Sequence, residues 1–258
     1  MRRRPVLRVA RRYLDYLYAD MVRRRLAAQV DCVDARDVEL FLDLGCHIGY
    51  NTDRIRDVLA PAQTVGIELN TSAAREAYGR GIDVLRHDLN QPLPLGSDVV
   101  DVITAFDVLE HLTETWQIIT EMYRVLKPDG FALIDCPNLA AWHNVLILML
   151  GFQPSSGPHL ISIADSDLAL VEDMHREDHG LSAVEAEQVH TSKMHRHIVV
   201  PAFRSLKRVL IKAGFDIAGS WGFGYYPLPP RIANWFCRLD VSHAHHFLIK
   251  ARKPSGAS

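Results

Sequence analysis

Between residues 38 and 136 the sequence alternates short apolar runs with segments of helical spacing, and few folds accept that alternation. The runs Val38–Leu44, Thr64–Leu69, Val84–Asp88, Val99–Ala105 and Phe131–Cys136 are short, bounded by turn residues and largely apolar, which is the pattern of buried strands. A strand that is apolar on both faces has to be covered on both, as in a parallel sheet flanked by helices. Helices are expected over His47–Leu59, stopped by Pro61; over Thr71–Tyr78, with Thr71 or Ser72 as N-cap; and from Thr113 to Leu126. Lys127-Pro128-Asp129-Gly130 reads as a turn.

The rhythm stops after Cys136 and returns late. Residues 137–200, from Pro137 to Val200, read as an insertion or lid: an apolar segment, a Pro/Ser/Gly loop from Pro154 to Pro158, and many His, Asp and Glu residues. A helix over Phe203–Ala213, ended by Gly214, then precedes a sixth strand at Asp216–Ser220 and a seventh at His246–Arg252. Residues 1–37 form a helical lead-in, with Val6, Val9, Tyr13, Tyr16, Leu17 and Val22 at near-helical spacing among arginines. That helix either packs on the domain, or covers the active site or touches anionic lipid. The expected fold class is therefore α/β: a doubly wound, mostly parallel seven-stranded sheet of Rossmann-like type, with an N-terminal helix and an insertion after strand five. The domains are 1–37 and 38–258.

Bulk properties exclude several alternatives. With 258 residues, 48% of them hydrophobic, the chain suffices for one large core. A net charge of −2 gives no electrostatic footprint for nucleic acid, so none is expected as a partner. Cys32, Cys46, Cys136 and Cys237 are widely spaced without a CxxC, which excludes a zinc ribbon or a disulfide scaffold. The basic stretch Met1–Arg12 lacks the apolar centre of a signal peptide, and Val145–Leu150 is too short to span a bilayer. A cytoplasmic location is expected.

Doubly wound sheets bind ligands at the carboxyl ends of their strands. The first strand ends in Asp43-Leu44-Gly45-Cys46-His47-Ile48-Gly49. A dinucleotide fingerprint GxGxxG would need glycine where His47 and Tyr50 stand, so a nicotinamide site is excluded. The second strand ends near Glu68 and Leu69, and the third near Asp88 and Leu89. Carboxylates at those two ends can accept from ribose hydroxyls and from an adenine amine.

With these residues in place, positions 38–136 resemble the class I S-adenosylmethionine (SAM)-dependent methyltransferases, in particular the type 11 small-molecule group. The first loop resembles (D/E)xGxGxG with His47 at the middle glycine. Asp101–Leu112 resembles the strand-four signature ending in VLEH, and Tyr123–Gly130 resembles the RVLKPGG turn. The resemblance implies SAM as cofactor. Asp43, Gly45, Cys46 and Gly49 would cradle its methionine end, with the His47 side chain near the cofactor carboxylate. Glu68 with Leu69 would hold the ribose, and Asp88 with Leu89 the adenine; Phe106 would line the wall beside the sulfonium. Methyl transfer from a sulfonium mainly requires an aligned acceptor and, for a hydroxyl or amine, proton removal. His111, with Glu110, is the candidate base or acceptor-orienting group.

Two further resemblances bear on the acceptor. Asp107-x-x-Glu110-His111 is similar to the ExxEH cluster of small-RNA 3′-end methyltransferases, where a divalent metal sits beside a ribose; His175, His179, His195 or His197 could complete such a set. The near-neutral charge argues against RNA, and no metal is expected there or at His243, His245 and His246. Pro137–Asn144, the run ending Gly151-Phe152-Gln153-Pro154 and His195–Val200 resemble a bacterial subgroup associated with polysaccharide or glycolipid biosynthesis. There His197 matches a subgroup histidine, while Val199 replaces its arginine. On this basis Asn138 and His197 are candidate acceptor contacts. The expected reaction is O-methylation of a sugar, glycolipid or other secondary metabolite, with peripheral membrane contact left open. The alternatives are a metal-assisted RNA ribose methyltransferase and a non-catalytic SAM-binding partner subunit, the latter suggested by His47.

Overall fold

The computed structural model describes residues 5–35, 37–158 and 197–256; His175, His179, His195 and most of the expected insertion lie outside the described residues. Its centre is a seven-stranded sheet: β1 (Leu40–Leu44), β2 (Gln63–Ile67), β3 (Asp83–Leu85), β4 (Val100–Phe106), β5 (Leu126–Pro137), β6 (Asp216–Phe223) and β7 (His246–Arg252). The order is β3-β2-β1-β4-β5-β7-β6. Neighbours from β3 to β5 are parallel, and β7 lies antiparallel between β5 and β6. The expected mostly parallel seven-stranded sheet is present.

The apolar runs divide by the two-residue period of a strand. Leu42, Ile103, Ile134 and Ile249 face a core completed by α4 (Thr115–Val125) and α6 (Phe203–Lys212), through Ile118, Ile119, Met122, Phe203, Leu206 and Leu210. Phe41, Val102, Leu133 and Leu248 face the opposite core, built with Tyr18 and Met21 of α1 (Pro5–Asp31) and Ile55 and Leu59 of α2 (Tyr50–Leu59). The N-terminal helix thus belongs to one of the two layers that bury the sheet.

Several boundaries differ from the expected ones for local reasons. The first helix after β1 starts at Tyr50, since the chain from Gly45 to Gly49 is a loop with left-handed turns. The N-cap of α3 (Thr71–Gly79) is Asn70, whose side chain accepts from the Ser72 and Ala73 N–H groups, and not Thr71 or Ser72. The second strand stops at Ile67 and the third is only Asp83–Leu85, so Glu68 and Asp88 both stand beyond the sheet. Lys127–Gly130 lies within β5 as a bulge: Val100 pairs with Leu126, but Val102 pairs with Phe131. The sixth strand continues to Phe223, and α7 (Pro230–Leu239), unanticipated, follows with proline at its first position. The apolar segment after β5 forms α5 (Trp142–Met149) and leaves Leu146, Leu148 and Met149 exposed. No helix among the described residues is long and apolar enough to cross a membrane.

Candidate active site

The strand order reverses between β1 and β4, which opens a crevice at their carboxyl ends. The loop leaving β1 has positive φ at Gly45 (69°), His47 (46°) and Gly49 (85°). A Cβ on Gly45 would come 2.7 Å from a Val108 methyl in the loop after β4, and one on Gly49 2.5 Å from Ile82. Histidine at position 47 keeps the left-handed conformation that glycine would take without strain, at a cost of roughly 1–2 kcal/mol for a side-chain-bearing residue. The loop is pinned to β2: the Gly45 and Cys46 N–H groups both donate to the Ile67 carbonyl, at 2.8 and 3.1 Å.

Asp43, the buried acid before this loop, turns inward. Its oxygens accept from Thr52 Oγ1 (2.5 Å) on α2 and Thr104 Oγ1 (2.6 Å) on β4, so it holds the loop between two elements. Burial raises its pKa to about 6; the two threonine bonds oppose the rise and the charge of Glu68 adds to it. Cys46 is also buried, and burial pushes its thiol pKa up. Its sulfur would lie 2.5 Å from a Cβ on Gly66, which is why β2 carries glycine there.

Glu68 is buried and stands just past the end of β2. Its side chain accepts from the His47 N–H (3.0 Å) and the Asn70 N–H (2.6 Å), one on each carboxylate oxygen. A carboxylate has about four lone-pair sites; the Leu69 N–H also acts on it, and the capacity left over is what a ribose diol would use. Asp88 accepts from the Asn90 backbone and side-chain amides through Oδ1 alone, leaving Oδ2 for an amine. Leu69 is 41% exposed and offers an apolar surface beside Glu68. Leu89 and Phe106 are buried, one in each core. The donor and acceptor set fits an adenosine: acids where the ribose and the adenine amine would lie, and a left-handed loop against them.

The loop after β4 carries a network that sequence reasoning missed. Arg25 of α1 is completely buried and reaches Asp107 with both terminal nitrogens, at 3.2 and 2.5 Å. It also contacts His246 Nδ1 of β7 (2.9 Å) and approaches Asp135 of β5 at 3.6 Å. Gln29 Nε2 donates to Asp135 at 2.8 Å. The signal was helical spacing: residues 18, 21, 25, 29 and 32 share a face, which puts one arginine of the Arg23-Arg24-Arg25 run and a glutamine among core residues.

Glu110 and His111 follow on a single 3-10 turn (Leu109–His111). Glu110 is fully buried, and neither carboxylate oxygen has a hydrogen-bond partner among the described residues. Burial, then the Asp107 charge, drive its pKa well above the ordinary range. The rings of His111 and His197 meet edge to face at 4.9 Å, and His197 Nδ1 lies 2.7 Å from the Ser156 carbonyl. Asn138 stands elsewhere in function: buried, its amide donates to the Ser242 and Ala244 carbonyls and accepts from the Ala140 and Phe203 N–H groups. It clamps the end of β5 and has its hydrogen-bonding capacity engaged by backbone.

Comparison with known proteins agrees with this geometry. Residues 42–134 match the methyltransferase domain family. A protein of Mycolicibacterium smegmatis named a probable S-adenosylmethionine-dependent methyltransferase is 38% identical over 122 residues, covering 46% of this chain and 44% of that one. A Mycobacterium tuberculosis protein of the same description is 35% identical over 107 residues, 40% of this chain and 36% of its own. The chain thus spans less than half the length of these relatives. Among solved structures, an S-adenosylmethionine-dependent methyltransferase from Mesorhizobium loti superposes with a TM-score of 0.56 at 16% identity, over 88% of this chain and 96% of that one. The [4+2]-cyclase SpnF superposes at 0.58 and 17% identity, over 90% and 82%. These likenesses speak to fold, and the second shows that the fold alone does not fix the reaction. Residues 42–134 thus match a methyltransferase domain, and the relatives they resemble are named S-adenosylmethionine-dependent methyltransferases.

Proposed function

We propose that the chain transfers a methyl group from SAM to an oxygen of a small glycan, a lipid-linked sugar or a related metabolite. SAM supplies an electrophilic methyl on a leaving group that is already activated. The observation that carries the reading is Glu68, a buried carboxylate bound to the glycine-loop backbone with acceptor capacity left for a ribose. Gly45, His47 and Gly49 shape the loop for the methionine end, Asp43 and Cys46 hold that loop from behind, and Asp88 meets the adenine amine. Leu69, Leu89 and Phe106 supply apolar surface around the adenosine. His111 and Glu110, across the crevice on the β4 side, act on the acceptor and its proton. The exposed apolar residues of α5, Leu146, Leu148 and Met149, support an acceptor with a greasy portion.

Isothermal titration with SAM tests the cofactor half, and S-adenosylhomocysteine release with hydroxylated glycans and glycolipids tests the transfer. SAM binding that Glu68→Ala weakens by roughly 10- to 100-fold, with product release on one of these acceptors, is the expected result. Absence of SAM binding by the intact chain would sink the reading. Binding without turnover on any acceptor class would favour a non-catalytic subunit.

A further inference from the structure

The groove between α1 and α2 holds a charge that its surroundings leave uncompensated. Arg54 of α2 is half-buried. Its guanidinium donates from Nη2 to the Leu26 carbonyl at 2.7 Å and from Nη1 to Asn51 Oδ1 at 3.4 Å. Both acceptors are neutral, and no carboxylate among the described residues pairs with it or acts on its charge. Burial lowers its pKa; of the two neighbouring titratable groups, Tyr50 opposes the fall and Arg25 adds to it. A guanidinium withdrawn from water beside a like charge is costly unless an anion meets it.

Arg54 lines a cleft of about 460 Å³. Small-molecule pockets commonly run from about 300 to 1,000 Å³, so a ligand of modest size fits. Tyr18, Val22 and Leu26 supply an apolar wall, each one turn apart on a single face of α1, and Tyr50 comes from α2 one turn before Arg54. Arg23 is the second cation of the lining. It donates to Asp20 Oδ1 at 3.0 Å, but Asp20 also accepts from Arg24 at 2.9 Å, so one carboxylate serves two arginines. The cleft therefore joins an excess of positive charge to an apolar wall.

We propose that this cleft binds a small organic acid, a carboxylate or phosphate monoester carried on an apolar body. The planar guanidinium of an arginine has five donors in a fork that matches either group. At Arg54 two of the five are engaged, by Leu26 and Asn51, and the rest are left for the anion. The α1 wall takes the body of the ligand, and Arg23, its side chain 72% exposed, adds a second charge from the solvent side. Tyr50 directly follows Gly49, so the acid lies against the first turn of the helix that the cofactor loop enters. None of the residues assigned to the cofactor lines the cleft, and binding there does not depend on SAM.

The test titrates the intact chain with hexyl phosphate, hexanoate and hexanol in the absence of SAM, followed by calorimetry. One saturable site for at least one of the acids, tenfold or more tighter than hexanol, is expected, and the tighter acid identifies the head group. Arg54→Gln should weaken it tenfold or more, and Arg23→Gln by a smaller factor, while circular dichroism and melting show a folded chain. Arg56→Gln is the control: it lies on the same helix outside the cleft, paired with Asp53, and should bind as wild type does. Should Arg54→Gln fail to fold, Arg23→Gln and Tyr50→Ala carry the comparison. Absence of saturable acid binding at millimolar concentration, equal affinity for hexanol, or an equal fall in the cleft variants and the Arg56 control overturns the proposal. Failure of SAM to bind in a separate titration would count against the methyl-donor reading and leave this result standing.

Discussion

Arg25 Nη2 donates to Asp107 Oδ2 at 2.5 Å across 82 residues of sequence, joining a helix that precedes the sheet to the loop that follows β4. The guanidinium is fully buried, Asp135 beside it is fully buried, and Asp107 is partly buried, its side chain 17% exposed. Removing a buried cation from two carboxylates leaves their charge uncompensated, which typically costs about 3–5 kcal/mol. Arg25→Ala is expected to lose stability on that order in urea unfolding. Adding Asp135→Asn should restore part of the loss, because one of the stranded charges is then gone.

Glu68 is expected to dominate cofactor affinity. Hydrogen bonds to a charged group contribute about 1.5–3 kcal/mol, so Glu68→Ala should weaken SAM by roughly 10- to 100-fold in calorimetry. Part of that loss comes from freeing the His47 and Asn70 N–H groups. Asp88→Ala should weaken SAM less, since its acceptor is partly engaged with Asn90.

His47 tests the shape of the first loop. Its φ of 46° is tolerated by histidine and natural to glycine, but adverse for a β-branched residue. His47→Gly is expected to keep the fold and to leave SAM affinity within a few-fold. His47→Val should be less stable than His47→Gly by about 1–2 kcal/mol. Equal melting of the two variants would contradict the left-handed geometry.

The pH dependence of stability follows from Asp43. Its pKa is about 6 in the folded chain, raised chiefly by burial, against an ordinary value of 3.8. Between those values the folded state holds a proton that the unfolded state has released. The contribution of this group to stability is therefore most favourable below about 3.8 and declines as pH rises through about 6. Unfolding measured from pH 4 to 7 should show a downward contribution that Asp43→Asn removes.

Much of the fold was legible because both sheet faces are buried. Continuous apolar runs such as Phe41-Leu42 and Val102-Ile103 have no other use than a doubly covered sheet, and the acids Glu68 and Asp88 lie where such sheets bind ligands. Boundaries were less legible, since Asn70 competes with Thr71 and Ser72 as a cap and only the hydrogen bonds decide. Arg25 was not singled out among the arginines of the lead-in helix, because its partners Asp107, Asp135 and His246 come together only through the tertiary fold. Asn138 shows the opposite error: a polar residue at a strand end looks like a substrate contact, yet the backbone around it takes every bond its amide can make.

The placement of β7 between β5 and β6 has a consequence for how the chain acquires its shape during synthesis. β5 has no partner on that side until residues 246–252 emerge from the ribosome, and Arg25 meets His246 over a separation of 221 residues. Closures of such length are slow to form. The last partners of the N-terminal helix, His246 and Leu248, are therefore added only after the rest of its packing surface has been made. A nascent chain arrested before residue 246 should retain a protease-sensitive α1, and the same helix should become protected once β7 is released.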